Sequence, residues 1–404
     1  MISQITLKNF KSIKSAKLKL GPFNLFIGTN ASGKSNFLDA LRFLQGIGWG
    51  LSIDEILNGR PRTGTGSEWE GIRGGSGMVE YQEAGAEEGP AKQVGMDVDM
   101  NLLGRFDQKT YSIRFNAKRG SVRDEWYGTE YDTTEIENRL ESAVIRARYD
   151  GATGQGRKPH LEFEKHKPIL QQMVTHGDVG KSSRKSAQLA LDVLSSIRRI
   201  DPQPSILRQY STAREVDRMG ERGENFAALV QSILTNKGAE PYLQWLRELR
   251  PEEIDELVIL EGALKEPMFA LKERGRVFPA PVLSDGTLRF AAITAAFFQP
   301  DMPKLMTIEE IENGVNPARM RVLMELVRHR AGQKETQVIA TTHSPLLLDW
   351  LTEEEWQYTF LCHREAETGE TKILPLTEIP RFNEVAKVGK VGELFSEGWL
   401  DFAL

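Results

Sequence analysis

The run Gly28-Thr29-Asn30-Ala31-Ser32-Gly33-Lys34-Ser35 has the spacing G-x-x-x-x-G-K-[ST], and those residue types predict a cradle for phosphate. Glycines let backbone N–H groups converge on anionic oxygens where a helix begins. Lys34 supplies a positive charge to the β- and γ-phosphates of ATP, and Ser35 offers a hydroxyl to Mg²⁺. Gly28, Asn30, Gly33, Lys34, Ser35 and Asn36 are therefore the candidate nucleotide contacts. A second run, Gly177-Asp178-Val179-Gly180-Lys181-Ser182, ends in the same way but has Thr175 where the first glycine belongs, with no clear strand before it. It reads as a basic loop.

Three further groups could act on a bound nucleotide. Leu305-Met306-Thr307-Ile308 is an apolar strand that ends in Glu309 and Glu310. Carboxylates at such a strand end suit a Mg²⁺ ligand, Glu309, followed by a base that orients or deprotonates water, Glu310. Ser284-Asp285-Gly286 stands before an apolar helix. Ser284 or Asp285 can serve as its N-cap, and Ser284 and Gly286 at the helix N-terminus can also address a γ-phosphate. Thr341-Thr342-His343-Ser344-Pro345 follows a strand, which puts His343 at a strand's C-terminal end near the acids.

The elements that must position these groups follow from periodicity. Strands are predicted at Ser3 to Leu7, Ala16 to Leu20 and Phe23 to Ile27, and an amphipathic helix at Lys34 to Gln45. Glycine-rich Gly59 to Gly77 reads as a mobile loop with no nucleotide role. Val98 to Phe115 and Val122 to Thr129 read as sheet, and Thr134 to Arg148, Ser186 to Arg199 and Asn225 to Leu249 as helix. Short strands follow Pro251, then a helix from Gly286 to Phe298, a strand at Lys304 to Ile308, a helix at Pro317 to His329, and strands at Thr336 to Thr341 and Tyr358 to His363. Alternating elements of this length predict an α/β fold with a mainly parallel sheet flanked by helices.

Composition sets the outer bounds. With 404 residues, 40% hydrophobic and 27% charged, the chain reads as a globular enzyme of one large domain or several smaller ones. No apolar run reaches membrane-spanning length and Met1 to Leu20 lacks a signal-peptide pattern, so a cytoplasmic protein without membrane attachment is expected. The single cysteine, Cys362, reads as a small buried residue. A net charge of -5 argues against nonspecific coating of nucleic acid. Basic groups at Arg146 and Arg148, Arg157 and Lys158, Lys181 to Lys185, and Arg198 and Arg199 leave room for a local DNA patch or a solvated helical face.

Taken in order, phosphate loop, Ser-Asp-Gly, apolar-Glu-Glu and Thr-His-Ser-Pro resemble the ABC-type AAA family ATPases related to RecF and SMC proteins. The likeness is greatest to bacterial ATPases that run Ser-Asp-Gly-Thr-Leu-Arg-Phe, Glu-Glu-Pro-Glu-Asn-Gly-Leu-His-Pro and Thr-Thr-His-Ser-Pro, matched here by Ser284 to Phe290, Glu309 to Pro317 and Thr341 to Pro345. Ile311 replaces their Pro, and Asn316 their His. The resemblance implies an ATPase head with its N-terminal part in residues 1–50, an inserted α+β or helical region in 51–250, and its C-terminal part in 251–404. It also implies ATP and Mg²⁺ sandwiched in a homodimer or higher homo-oligomer. Ser284 would act on the partner copy's ATP, Glu310 as base, Glu309 as Mg²⁺ ligand and His343 as γ-phosphate sensor. A glutamine reaching Mg²⁺ is expected among Gln155, Gln171 and Gln172, and Lys8 or Lys11 is a candidate nucleotide contact.

About 250 residues separate Gly28 from Ser284, a longer insertion than transporter ATPases carry. It lacks sustained heptads or a Cys-x-x-Cys hook, and only about 60 residues follow His343, too few for a toprim nuclease domain. The resemblance thus implies a switch in DNA repair or antiphage defence acting through a partner effector such as a nuclease or toxin, with DNA a candidate ligand. The alternative is an ATP-dependent scaffold or sensor with slow turnover.

Overall fold

A computed structural model of the chain describes residues 1–61, 69–83, 92–102, 108–129, 132–133, 136–137, 144–148, 160–212, 215–235, 238–249, 253–333, 335–387 and 389–402; side chains of 126, 128–160, 249, 318, 401 and 402 are outside the description. The chain divides into two compact units, one of Met1–Gly21, Ile27–Ile197 and Tyr358–Glu378, the other of Pro22–Phe26, Arg198–Gln357 and Ile379–Leu404. No described helix is long and apolar enough to cross a membrane.

The first unit is built on an antiparallel sheet whose neighbouring strands are, in spatial order, Ile13–Lys19, Ile2–Phe10, Val94–Asn101, Gln108–Asn116, Ser121–Thr129 and Asp132–Thr133. Its register places Ala16, Leu7, Met96 and Ile113 in one cross-strand row, all buried. Period-2 alternation sends Lys8 and Lys17 to the opposite face. Beneath the apolar face lies the helix Lys34–Gly48, with Phe43 stacked on Phe115 at 4.5 Å. The helix Lys181–Ser195 packs along it so closely at Gly48 that a Cβ there would collide with the backbone of Leu194 and Ser195.

Within the second unit the strands Leu305–Ile308 and Gln337–Thr342 pair in parallel, Ile308 opposite Ala340. The strand Ile197–Ile200 flanks the first of these and Phe23–Ile27 the second. Both central strands are buried along their whole length, as strands covered on both faces should be. Helices Asp285–Ala296 and Pro317–Gly332 belong to this unit, as does the antiparallel ribbon Ile254–Glu261, Pro267–Glu273 and Arg276–Pro279.

Several predicted elements differ. Within Thr134 to Arg148 the described parts are strands, Ile136–Glu137 and Val144–Arg148, because the run pairs with His160–Glu164 and pairing overrides a weak helical pattern. The helix expected at Ser186 to Arg199 runs from Lys181 to Ser195, and Ile197–Ile200 is a strand with Ile197 and Ile200 buried. Lys181 and Ser182 therefore open a helix instead of lying in a loop. Asn225 to Leu249 holds two helices, Phe226–Thr235 and Ala239–Leu249, divided near Gly238 and Pro241, which favour a helix start over its interior. In the Gly59 to Gly77 segment Trp69 is buried, its Nε1 donates to Ile56 O at 3.1 Å, and Arg60 and Trp69 form a bridge. That part is an anchored loop, not a mobile one.

Glu125 is a buried carboxylate on the strand Ser121–Thr129, accepting from Ile169 N at 2.6 Å, Leu170 N at 2.9 Å and Tyr111 Oη at 2.9 Å. Burial pushes it from 4.5 up to about 7, against the pull of these donors. The folded state thus holds the proton more tightly than the unfolded chain. Stability from this group is full below the unfolded value and is lost as pH rises through the folded one. The expected loss across that window is about 3 kcal/mol, read as a falling urea midpoint between pH 4.5 and 7. In Glu125→Gln that slope should flatten, and an unchanged slope would reject Glu125 as its source.

Candidate functional site

In the first unit the phosphate loop leads into Lys34–Gly48, whose N-cap, Gly33, has φ 103° and makes no side-chain cap. Gly28 also has positive φ, at 151°, and a Cβ there would overlap the carbonyl oxygen of Cys362. A Cβ on Gly33 would overlap the side chain of Thr371. Both glycines are thus imposed by close approach as well as by backbone angle. Ala31 takes φ 65° without that excuse, a strain of about 1 kcal/mol or more that surrounding structure must offset.

A relay of hydroxyls fixes this loop. Asn36 Nδ2 donates to Ser12 Oγ at 2.6 Å, Ser12 and Thr371 share a proton at 2.7 Å, and Thr371 Oγ1 donates to Ser32 O at 3.1 Å. With Ser12 accepting from Asn36, one consistent orientation runs from Asn36 to Ser32. Thr371 comes from the hairpin of Thr359–Arg364 and Thr371–Pro375. No spacing in the sequence joins it to the loop.

The loop suits phosphates. Lys34 is buried, and its Nζ donates to Gly28 O at 2.6 Å and Thr29 O at 2.9 Å. Phosphate oxygens in place of these carbonyls would turn the contacts into charge-assisted bonds. The Ser32 hydroxyl is buried with no hydrogen-bond partner, a polar atom of the kind a ligand can satisfy. Asn30 is exposed and Ser35 half-buried. Among the described residues no group of three or more His, Cys, Asp and Glu side chains could hold a metal alone. The half-buried Ser35 hydroxyl is the donor this loop would offer Mg²⁺, which usually keeps several waters and takes substrate phosphates.

Next to the loop, Lys11 (φ 52°) forms an ion pair with Asp39, one turn along the helix, and donates to Arg73 O at 2.8 Å. Arg73 pairs with Asp39 at 3.2 Å and donates to Ser35 O at 2.6 Å. Burial pushes the Lys11 ammonium down, opposed by Asp39. Lys11 and Arg73 border a cleft of about 740 Å³ shared with Ser12, Asn36 and Arg364. Of the two candidate lysines, Lys11 lines it, while Lys8 faces away across the sheet and acts on Asp97.

Neither described glutamine is near the loop. Gln171 donates to Ile47 O at 2.7 Å and Leu51 O at 3.1 Å, capping the far end of a helix about 20 Å long. Gln172 donates to the carbonyls of Glu164 and Lys167. Gln155, Arg157 and Lys158 lie outside the described residues.

In the second unit, the two parallel strand ends bring Glu309, Glu310 and His343 together. Glu310 has φ 44°, a left-handed angle unusual for its type. Its N–H donates to Thr341 Oγ1 at 2.9 Å, and Ile311 N donates to Thr341 O at 3.1 Å. Ile311, buried, thereby uses an N–H that the proline of similar sequences would lack. Asn316 precedes the helix Pro317–Gly332, and its carbonyl accepts from Met320 N at 3.1 Å. His343 Nδ1 lies 3.2 Å from Glu312 and 4.0 Å from Glu310.

Two arginines hold the acids: Arg199, which the sequence marked only as part of a basic group, and Arg289, which it did not single out. Arg199 pairs with Glu309 at 2.6 Å, Glu221 at 3.1 Å and Asp201 at 3.3 Å. Arg289, buried, donates to Glu309 O at 2.9 Å and Glu310 O at 3.3 Å and pairs with Asp201 at 3.3 Å. It belongs to the run Ser284 to Phe290, the one signal that could have marked it. Arg289→Met should cost about 3 kcal/mol in urea unfolding, since it removes a buried guanidinium's bonds to Asp201 and to the carbonyls of Pro202, Glu309 and Glu310. A loss below 1 kcal/mol would show that the carbonyls are not held by this guanidinium.

Ser284 is exposed and is the N-cap of Asp285–Ala296, accepting from Thr287 N at 3.2 Å. Asp285 pairs with Arg208 at 2.5 Å. Gly286 abuts the loop that follows the acids, where a Cβ would overlap Gly314 O. The capping reading of Ser284 thus holds, and its hydroxyl stays at the surface.

Against known proteins, the chain is 52% identical over 46 residues to the chromosome partition protein Smc of Methanococcus voltae, covering 11% of this chain and 4% of that one. It is 48% identical over 44 residues to the DNA replication and repair protein RecF of Lactococcus lactis, covering 11% of this chain and 12% of that one. The matched segments are thus a small part of those relatives' length. Among solved structures it is similar to the SMC head domain from Thermotoga maritima, with 13% identity, TM-score 0.48, and 93% and 98% of the two chains covered. A family described as AAA domain, putative AbiEii toxin, Type IV TA system matches residues 23–349. The chain belongs to that AAA-domain family, and parts of it are similar to proteins of the RecF and SMC kind.

Proposed function

We propose that the chain is a cytoplasmic ATP-hydrolysing switch that closes as a head-to-tail homodimer, or a higher homo-oligomer, around Mg-ATP. It controls a partner effector, a nuclease or toxin, in DNA repair or antiphage defence. The observation that carries the reading is the grouping of Glu309, Glu310 and His343 at two paired strand ends, with Glu310 held in a strained conformation by Thr341. Strain of that kind is retained where a catalytic group must be aimed.

In this reading Lys34 and Ser35 hold the phosphates and a metal ion, and Glu309 is a carboxylate suited to such an ion. Bound Mg-ATP supplies the γ-phosphoryl group and the charge that develops on it. Glu310 orients a water and takes its proton. His343, and Ser284 from the other copy, meet the γ-phosphate, for which an exposed helix N-terminus is suited. The region 51–250 relays closure to DNA or a partner. The named roles of the relatives, chromosome partition and DNA repair, and the toxin in the family's description support a DNA-linked or defence setting.

The test is the solution mass of Glu310→Gln with and without Mg-ATP. An ATP-dependent shift to dimer or larger is expected. Unchanged mass with ATP still bound rejects the role of Ser284 on a second copy's nucleotide.

A further inference from the structure

Glu312 has no part in the roles assigned above, yet it is the acid nearest His343. Only 11% of its side chain is exposed. Oε1 accepts the main-chain N–H of His343 at 2.7 Å and lies 3.2 Å from its Nδ1. Oε2 is buried with no hydrogen-bond partner. Glu310, at 4.0 Å from the same Nδ1, is beyond hydrogen-bond reach.

An ionised carboxylate only accepts, so its place 3.2 Å from Nδ1 favours a proton on that ring nitrogen. Nε2 is then the ring atom that remains for another partner. Glu312 is itself fixed. Ile311 N donates to Thr341 O at 3.1 Å, Asn313 N to Glu310 O at 2.8 Å and Val315 N to Glu312 O at 3.0 Å, a tight turn on either side. One oxygen thus sets both where the backbone leaves the strand Gln337–Thr342 and how the ring is turned.

We propose that Glu312 is the positioning residue of His343, holding it as the Nδ1–H form and leaving Glu310 unencumbered. The proposal rests on the reading that His343 meets the γ-phosphate. Partners that orient a functional imidazole usually matter by about 10- to 100-fold in activity.

The experiment combines ring-nitrogen NMR of ¹⁵N-histidine-labelled, nucleotide-free protein, assigned with His343→Asn, and steady-state ATPase kinetics. The wild type is expected to show a protonated Nδ1 at His343, and Glu312→Ala to lose that signature. Glu312→Ala should lower kcat about tenfold with little change in KM, and Glu312→Gln, whose amide oxygen can still accept from the His343 main chain and face Nδ1, should recover most of it. In a His343→Ala background Glu312→Ala should have no further effect. An Nδ1 signal unchanged in Glu312→Ala, or the same kcat loss in both backgrounds, overturns the proposal. Wild-type turnover in His343→Ala instead overturns the functional reading beneath it, whatever the NMR shows.

Discussion

Lys34→Ala is expected to lose most of the chain's affinity for ATP. The ammonium is buried against the carbonyls of Gly28 and Thr29, so its charge is already desolvated and pointed into the loop. Replacing carbonyls by phosphate oxygens turns dipole contacts into charge-assisted bonds, each contributing about 1.5–3 kcal/mol. Removing one of them should raise Kd roughly 10- to 150-fold, and removing two should raise it further. Fluorescent ATP-analogue titration reads this directly, with thermal unfolding of the nucleotide-free variant as a control for the loop itself. Affinity within threefold of wild type would mean that Gly28 to Ser35 is a structural turn only.

Glu310→Gln should separate binding from turnover. The substitution keeps volume and the main-chain bonds to Thr341 and Arg289 but removes the proton acceptor. General-base catalysis contributes about 10²–10⁴-fold, so kcat should fall by that factor while the Kd for ATP changes little. Phosphate release under saturating ATP measures the first and analogue titration the second. Retained turnover would move the base elsewhere, and Glu309 would be the next candidate. Loss of binding as well would point to a collapsed strand end, which the fixed hydrogen bonds of Thr341 argue against.

The ATPase signals were legible because each is local. A phosphate loop is a backbone conformation, and Gly28 and Gly33 advertise it through angles that other residues avoid. The apolar strand before Glu309 and the N-cap Ser284 are likewise set by neighbours within a few residues. The alternation of Ile5, Leu7, Ala16 and Leu18 fixed two strands of the antiparallel sheet. Secondary structure failed where pairing decided it: Ile197–Ile200 carries a pattern that continues the preceding helix, and becomes a strand because an apolar strand lies beside it.

What holds the chemistry in place was settled only by tertiary structure. Arg199 stands 110 positions from Glu309, and Thr371 is 339 from the Ser32 carbonyl that it grips. No periodicity can link residues at such separations, because a hydrogen bond depends on where the chain returns and not on spacing. Glu312 and Arg289 sat inside motifs already in view, but their burial and their partners, His343 and the carbonyls of the two acids, exist only in the fold. The sequence by itself determined the local motifs from which the triphosphate-binding and attacking groups are proposed. The fold decided which side chains keep those groups aimed, since aim is a matter of angstroms between distant segments.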